Sequence, residues 1–343
     1  MPIKLTRREA AKAGLFGGMA FSALSSAGCL KSDAFRGAKP VAGLDSILVL
    51  SDTHIAADRA TRSRSGVQMW HRLHKLMWEE APYRQYVFGL PLYSYRFALV
   101  NGDAAYDTGE AGDYQQLESA LSLLLQDDVP VHVLLGNHDD RDKFQAHVDN
   151  ARVWLEKHER VGEESRSDMS VEPPSELTNK YVRIIGANDG SRYCDWLLLD
   201  SLRIVDETPG ELEAAQLAWM DEALGRSPDR PAIIVVHHPP IPDDDPDRPF
   251  ALQDHEAFWA IVEQHPNVKA VLHGHTHRWE PRKWELTDRE VDLIGLPPTS
   301  YVFDEANPWG YVVADVDPSG VTFTLRAMDG HDADGASVRV GFG

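Results

Sequence analysis

The sequence predicts an α/β protein with more than one sheet, and three observations predict it. Short apolar runs of β type recur along the chain. Five of them end in a cluster of polar, metal-type side chains, and segments with helical spacing lie between them. At 343 residues, 43% hydrophobic and 26% charged, the chain is long enough for one large domain or two small ones. A mean hydropathy of -0.36 fits a globular protein in water.

The first residues read as an address rather than as fold. Thr6-Arg7-Arg8 is a twin-arginine pair, followed by Lys12 and an apolar stretch from Ala13 to Ala27. Crossing a bilayer takes about 20 apolar residues, so this stretch is short for a permanent anchor. It suits a cleavable twin-arginine export signal over residues 1–28, carrying the protein to the periplasm or cell surface. The bulky apolar pair usual after the arginines is replaced by Ala10 and Ala11. Ser26-Ala27-Gly28-Cys29 resembles a lipobox without its leading Leu, and a lipidated Cys29 would tether the protein to a membrane. The alternative is a frayed cytosolic N-terminus with an accidental Arg-Arg. Residues 29–43 read as a linker, small, basic and polar from Lys31 to Gly43, and the folded domain is expected over 44–343.

The β-type runs then follow in order. Ile47–Leu50 leads into Ser51-Asp52-Thr53-His54, and Phe97–Val100 into Asn101-Gly102-Asp103. Val131–Leu135 leads into Gly136-Asn137-His138-Asp139, Ile233–Val236 into His237-His238-Pro239, and Val268–Leu272 into His273-Gly274-His275-Thr276-His277. Strands that each end in ligands describe one site at their carboxyl ends, where open α/β sheets place their sites. Tyr114–Leu125, Glu211–Leu224 and His255–Gln264 have helical spacing. Val291–Ile294, Tyr311–Ala314 and Val321–Leu325 add strands for a second sheet. Two segments break the rhythm: Ala57–Arg96, with a helix expected over Gly66–Glu80, and Asp149–Lys180, broken by Pro173-Pro174. Each follows a ligand cluster, so each can overhang the site or simply decorate the surface.

Charge narrows the function. The formal net charge is -20, and residues 1–28 carry +3, which leaves -23 for the body. Such a body repels nucleic acid and anionic lipid at long range. Two cysteines, Cys29 and Cys194, exclude a disulfide framework or a cysteine-rich zinc site. Cys194 lies in the apolar run Tyr193–Leu199 and is expected to pack as a small hydrophobe.

Taken singly, each polar cluster has an ordinary reading. Asn137-His138-Asp139 can be an Asx turn, and His237-His238 a pair of core histidines. Taken together, Asp52, Asp103 and Asn137 offer hard oxygens, and His54, His237, His275 and His277 offer imidazoles, at five strand ends of one chain. Mixed oxygen and nitrogen donors suit Zn, Fe, Mn or Co rather than Ca. A carboxylate such as Asp103 can bridge two ions, and two ions about 3.5–4 Å apart can share a hydroxide and clamp an in-line displacement at phosphorus.

The series Asp52-x-His54, Gly102-Asp103, Gly136-Asn137-His138-Asp139, His237 and Gly274-His275-x-His277 resembles the calcineurin-like metallophosphoesterases over roughly Leu44 to Ala327. Gly136-Asn137-His138-Asp139-Asp140-Arg141 and His237-His238-Pro239-Pro240 look most like the branch of bacterial class III cyclic-nucleotide phosphodiesterases and glycerophosphodiesterases. The resemblance implies a two-sheet β-sandwich flanked by helices, two divalent or trivalent ions, and a small phosphate-ester substrate. It implies that Asp52, His54 and His277 hold the first ion, that Asn137, His237 and His275 hold the second, and that Asp103 bridges them. His138 would donate a proton to the leaving oxygen or stabilise its charge, and Asp139 would orient His138 by a hydrogen bond. His238 is expected to support a ligand rather than to be one, and His273 to be structural.

There are departures. The Asp52–Asp103 and Asn137–His237 intervals are longer than the branch norm, consistent with insertions at 57–96 and 149–180. Asp103-Ala104-Ala105-Tyr106 also resembles the purple acid phosphatases, in which the matching Tyr binds ferric iron. Those enzymes lack a His at the position of His54, so Tyr106 is expected to support or pack. Arg141 can meet substrate phosphate or pair with an acid, and pairing is the expectation. His71 and His74 are expected to be ordinary residues of a helix that buries Trp70, Met77 and Trp78. Three functions remain: a phosphodiesterase that also acts on monoesters, a monoesterase of the purple acid type, and a scaffold that kept the fold without the chemistry. A nuclease is disfavoured by the charge.

Overall fold

The computed structural model describes residues 45–343 except 65, 81–85, 88–89, 92–94, 127–128, 151–179, 181, 246, 248 and 305. The expected export signal, Cys29, the linker and almost all of 149–180 lie outside the described residues.

In chain order the first elements are β1 (Asp45–Leu50), α1 (Met69–Lys75, continued by a π-turn over Leu76–Glu80), β2 (Tyr86–Val87), β3 (Leu90–Pro91), β4 (Ala98–Asn101), α2 (Ala111–Gln126), β5 (Val131–Leu134) and α3 (Arg141–Asn150). There follow β6 (Arg183–Ile185), β7 (Asp195–Leu199), α4 (Glu213–Arg226), β8 (Ala232–Val236), α5 (His255–Gln264) and β9 (Val268–His273). The chain closes with β10 (Glu280–Glu285), β11 (Glu290–Gly295), β12 (Gly310–Asp317), β13 (Gly320–Ala327) and β14 (Ser337–Gly341). The hairpin β2–β3 pairs Tyr86 with Pro91 and Val87 with Leu90, and belongs to a small unit of its own.

The larger unit holds two six-stranded sheets, ordered β14-β13-β12-β1-β4-β5 and β10-β11-β9-β8-β7-β6. In the first, β1, β4 and β5 run parallel and β12 joins β1 antiparallel. In the second, β11, β9, β8 and β7 run parallel, and β10 and β6 are antiparallel edges. The parallel strands are the continuous apolar runs of the sequence because both of their faces are covered. Alternate side chains make the two cores. Trp196, Leu198, Ile233 and Val235 face the first sheet, where Ile47, Leu99, Val312 and Phe323 meet them. Leu197, Leu199, Ile234 and Val236 turn outward onto α4 and α5, against Trp219, Met220 and Phe258. Cys194 is buried in the core between the sheets, as a small hydrophobe should be.

The helix in the first insertion differs from the sequence expectation. It begins at Met69 and buries Met69, Leu73, Leu76 and Met77, whereas Trp78 is 48% exposed and Trp70 is half-buried. The reason is a stack: His74 lies between the rings of Trp70 (4.6 Å) and Trp78 (5.3 Å) on the outer side of the helix, with His71 exposed. Arg72 is buried instead, over the Trp309 ring at 4.4 Å and donating to the Ser300 carbonyl at 3.3 Å. The insertion is thereby fastened to the 299–309 loop beside the site.

Candidate metal centre

The carboxyl ends of β1, β4, β5, β8 and β9 carry the five polar clusters, and the loops after them are tied to one another by the main chain. Asp52 N donates to Gly102 O (3.2 Å), His54 N to Asp103 O (2.8 Å) and Gly274 N to His237 O (3.0 Å). Asp52, His54, Asp103, His275 and His277 all hold positive φ, at 51°, 43°, 46°, 66° and 52°. Residues with a Cβ avoid this region, and strained backbone of this kind gathers at functional sites. Gly102 (φ 75°) relieves the turn before Asp103 and leaves room for His237.

Two side-chain groups meet there. Asp52, His54, Asp103 and His277 form one, and His237, His238 and His275 the other, each with donor atoms within 4.8 Å of one another. Asp103 joins them: its Oδ2 lies 3.4 Å from His54 Nε2 and 3.3 Å from His237 Nε2. His277 Nε2 lies 3.1 Å from Asp52 Oδ1 and 3.3 Å from His54 Nε2. Two nitrogens bound tetrahedrally at about 2.0–2.1 Å from one ion stand roughly 3.4 Å apart, so the spacing suits a shared cation. Asn137 Oδ1 and His238 Nε2 are buried and have no hydrogen-bond partner among the described residues, and His237 Nε2 faces only the Asp103 carboxylate. Buried polar atoms are costly when unpaired, and a cation at this place would pair them.

The rings are aimed from behind. His54 Nδ1 donates to the Tyr106 carbonyl (3.2 Å), His237 Nδ1 to that of Asn101 (2.9 Å) and His277 Nδ1 to that of Tyr301 (2.8 Å). Each bond keeps a hydrogen on Nδ1 and turns Nε2 toward the centre. Tyr106 supports through its main chain, and its half-buried ring lines the cleft.

Electrostatics fit the same division. Burial pushes the His54 and His275 rings each down to about 3, and His238 well below its usual value, so these imidazoles are neutral at pH 7. Burial also works on His237, but the charge of Asp103 and its hydrogen bond carry that ring up to about 9. Burial would raise both carboxyls; His277 outweighs it and holds Asp52 at about 2, and His237 with His54 hold Asp103 well below the carboxylate range. The two carboxylates are thus ionised.

Asp139 departs from expectation. It does not orient His138, whose Nδ1 meets the Asp107 carbonyl at 2.8 Å. Its carboxylate instead accepts from the backbone N–H groups of Ala104 (3.1 Å), Ala105 (2.9 Å) and Gly136 (2.9 Å), with the Tyr114 hydroxyl at 3.3 Å. A buried carboxylate needs such donors, and here they clamp the Asp103 loop to the Asn137 loop. Burial and the nearby Asp103 charge push its carboxyl up to about 6 against those donors. His138 is tied to the centre by its backbone N–H, which donates to Asp103 Oδ1 at 3.0 Å. Arg141 pairs with Asp200 through two bonds of 2.8 and 2.9 Å and does not line the cleft. His273 is buried beside the centre, its Nδ1 3.1 Å from the Gly274 carbonyl.

The centre lies in a cleft of about 800 Å³. The sequence reading missed Arg64, Tyr301 and Phe303 in its wall. Phe303 is 50% exposed and stacks on His277 at 4.1 Å. Arg64, from the first insertion, lies 5.7 Å over that ring and hydrogen-bonds Tyr301. No periodicity or motif marks these residues, so only Arg64 was foreshadowed, by the overhang of the insertion.

A model of the calcineurin-like phosphoesterase family matches residues 46–279, more than half of the chain. The chain belongs to that family. A 3',5'-cyclic-nucleotide phosphodiesterase of Nostoc is 33% identical over 32% of this chain and 40% of its own length. The 3',5'-cyclic adenosine monophosphate phosphodiesterase CpdA of Escherichia coli is 24% identical over 69% of this chain and 71% of its own. The chain spans less than half the length of the first curated relatives it matches. A dimetal phosphatase from Danio rerio has the same fold, with a TM-score of 0.58, 14% identity, and 88% of this chain and 100% of that one covered.

Proposed function

We propose that this family member is a dinuclear metallophosphoesterase that hydrolyses phosphodiesters first and monoesters second. One observation carries the reading. A single carboxylate, Asp103, stands 3.3–3.4 Å from ring nitrogens of two separate donor groups, which is the position of an anion shared by two cations. Asp52, His54 and His277 would hold one ion, Asn137, His237 and His275 the other, and Asp103 both. The donor set suits Fe, Mn, Zn or Co. A bound pair supplies neutralisation of the anionic ester and a water acidic enough to attack at neutral pH.

The chain's own residues do the rest. Positive-φ backbone fixes five of these ligands, Asp52, His54, Asp103, His275 and His277, at their turns, which limits the reorganisation that holding an ion would need. His138 lines the cleft with Nδ1 engaged by the Asp107 carbonyl, which leaves Nε2 to act on the leaving oxygen, as proton donor when both nitrogens carry hydrogen. Phe303 and Tyr301 keep water from one side of the His277 ring. The named activity of the curated relatives supports a diester, with cyclic nucleotides and glycerophosphodiesters first in a substrate panel.

The test is hydrolysis of bis(p-nitrophenyl) phosphate by protein loaded with Mn, Zn or Fe. Asp103→Ala and Asn137→Ala should lower kcat by at least about 100-fold, the size of losing one transition-state stabiliser. A metal-loaded preparation inert on every aryl phosphate overturns the proposal. Export belongs to the same reading and is motivated by Arg7-Arg8 and the apolar stretch behind them. The wild type should fractionate outside the cytoplasm and an Arg7→Lys, Arg8→Lys variant within it; identical fractionation removes the export proposal.

A further inference from the structure

We infer that His238 is itself a ligand of the second ion, a fifth protein donor beside Asp103, Asn137, His237 and His275. The inference rests on the dinuclear reading above and concerns a residue that reading leaves out. Its ring is wholly buried, at 0% exposure, and does not line the cleft, so it cannot serve as a substrate contact. It offers a nitrogen within 4.8 Å of donor atoms of both His237 and His275. The rings of His238 and His275 have centroids 4.8 Å apart, and those of His238 and His237 4.9 Å.

The state of its two nitrogens decides which one is available. Nδ1 lies 2.8 Å from Ser201 Oγ, an oxygen that also accepts from the His238 backbone N–H at 3.2 Å. That hydroxyl fixes the ring from behind as the main-chain carbonyls fix His54, His237 and His277. Nε2 has no hydrogen-bond partner among the described residues, and the same is true of Asn137 Oδ1, which the family resemblance assigns to this ion with His237 and His275. Two unpaired, buried donor atoms on separate strand ends, Asn137 Oδ1 and His238 Nε2, share one explanation. An orphaned nitrogen in a wholly buried ring is costly, whereas a cation in its lone-pair direction removes that cost. The packing also holds the ring still: a Cβ on Gly210 would stand 2.3 Å from His238 Nδ1, so only glycine there leaves room for it.

The consequence is an asymmetric centre. The first ion has four protein donors in Asp52, His54, Asp103 and His277, and the second has five. The second should then be the tighter site, and the one that leaves fewer positions open to water or substrate.

The experiment titrates Co(II) into metal-free wild type and His238→Gln, following heat and visible absorption together. In His238→Gln the second ion should weaken by at least about 10-fold, the lower limit for groups that only support a ligand. The first ion should keep its affinity within about twofold, and the visible band of the second Co(II) should gain intensity as five donors become four. Weakening without a change in the band makes His238 a support and overturns the inference; so does unchanged affinity for both ions, or equal loss of both. Should His238→Gln fail to fold by circular dichroism, wild-type protein with nitrogen-15 histidine decides: zinc must shift His238 Nε2 as it shifts His237 Nε2, and an unmoved Nε2 sinks the idea. A wild type that takes up fewer than two ions sinks the dinuclear reading itself, and is thereby distinguishable.

Discussion

Asp52, His54, Asp103, His275 and His277 were legible as candidate ligands because each carries its chemistry in the side chain and each stands at a strand end. Their supports were not. Asn101, Tyr106, Asp107 and Tyr301 act through main-chain carbonyls, which every residue has, so no residue type announces them. Asp139 was legible as important but misread, because spacing placed it next to His138 while the fold turned it toward three backbone N–H groups. The glycine before Asn137 yields a prediction at this scale. A Cβ on Gly136 would stand 2.3 Å from Asp103 Oδ1 and 2.6 Å from His237 Nε2. Gly136→Ala should therefore cost about 1–3 kcal/mol of stability through overpacking, and should displace the shared carboxylate. Metal analysis should find fewer than two ions per chain in a variant whose circular dichroism is unchanged; full loading would show that the site can yield.

At the scale of elements, the parallel strands and α5 read directly from apolar runs and helical spacing. Elements with little apolar content did not. α3 is a polar helix that follows the Asn137 cluster, and β10 is an exposed edge whose register with β11 is set by pairing rather than by its own sequence. β7 carried an apolar run whose pairing partners only the tertiary fold supplies. On it Trp196 is fully buried, edge-on to Phe97 at 5.8 Å and to Phe323 at 6.3 Å, and so packs across both sheets. Trp196→Ala should cost about 3–5 kcal/mol in denaturant unfolding of the metal-free protein; a cost below about 1 kcal/mol would mean that the sheets do not depend on this contact. At the start of β1, Asp45 is buried and accepts from Arg192 (2.6 and 2.9 Å) and Arg96 (2.8 Å). Burial would raise its carboxyl, but the bonds from Arg192 and then Arg96 outweigh it and hold the carboxyl below its usual 3.8. A lowered folded value stabilises above the unfolded value and is lost as pH falls through the folded one. Unfolding from pH 6 down to pH 2 should thus show a stability loss below about pH 4 that Asp45→Asn reduces; an identical profile would remove Asp45 from the acid response.

At the scale of the molecule, the charge of -20 and the site have to be read together. A body so acidic should disfavour long nucleic acids, while the two cations proposed for the cleft would attract a small anionic ester. A DNA gel-shift at low salt should show no retarded band, and a salt-dependent band would return the nuclease reading. The first insertion works at this scale as well, since it fastens Arg72 to the 299–309 loop and sets Arg64 over Phe303.

The sequence alone determined the family resemblance, the strand ends that carry the chemistry, and the candidate ligands, because these are properties of side-chain type and short spacing. The tertiary structure alone decided which carbonyls aim the rings, and where Asp139 and His238 point. Those are relations between residues as far apart as His54 and His277, and no local pattern encodes a distance across two sheets.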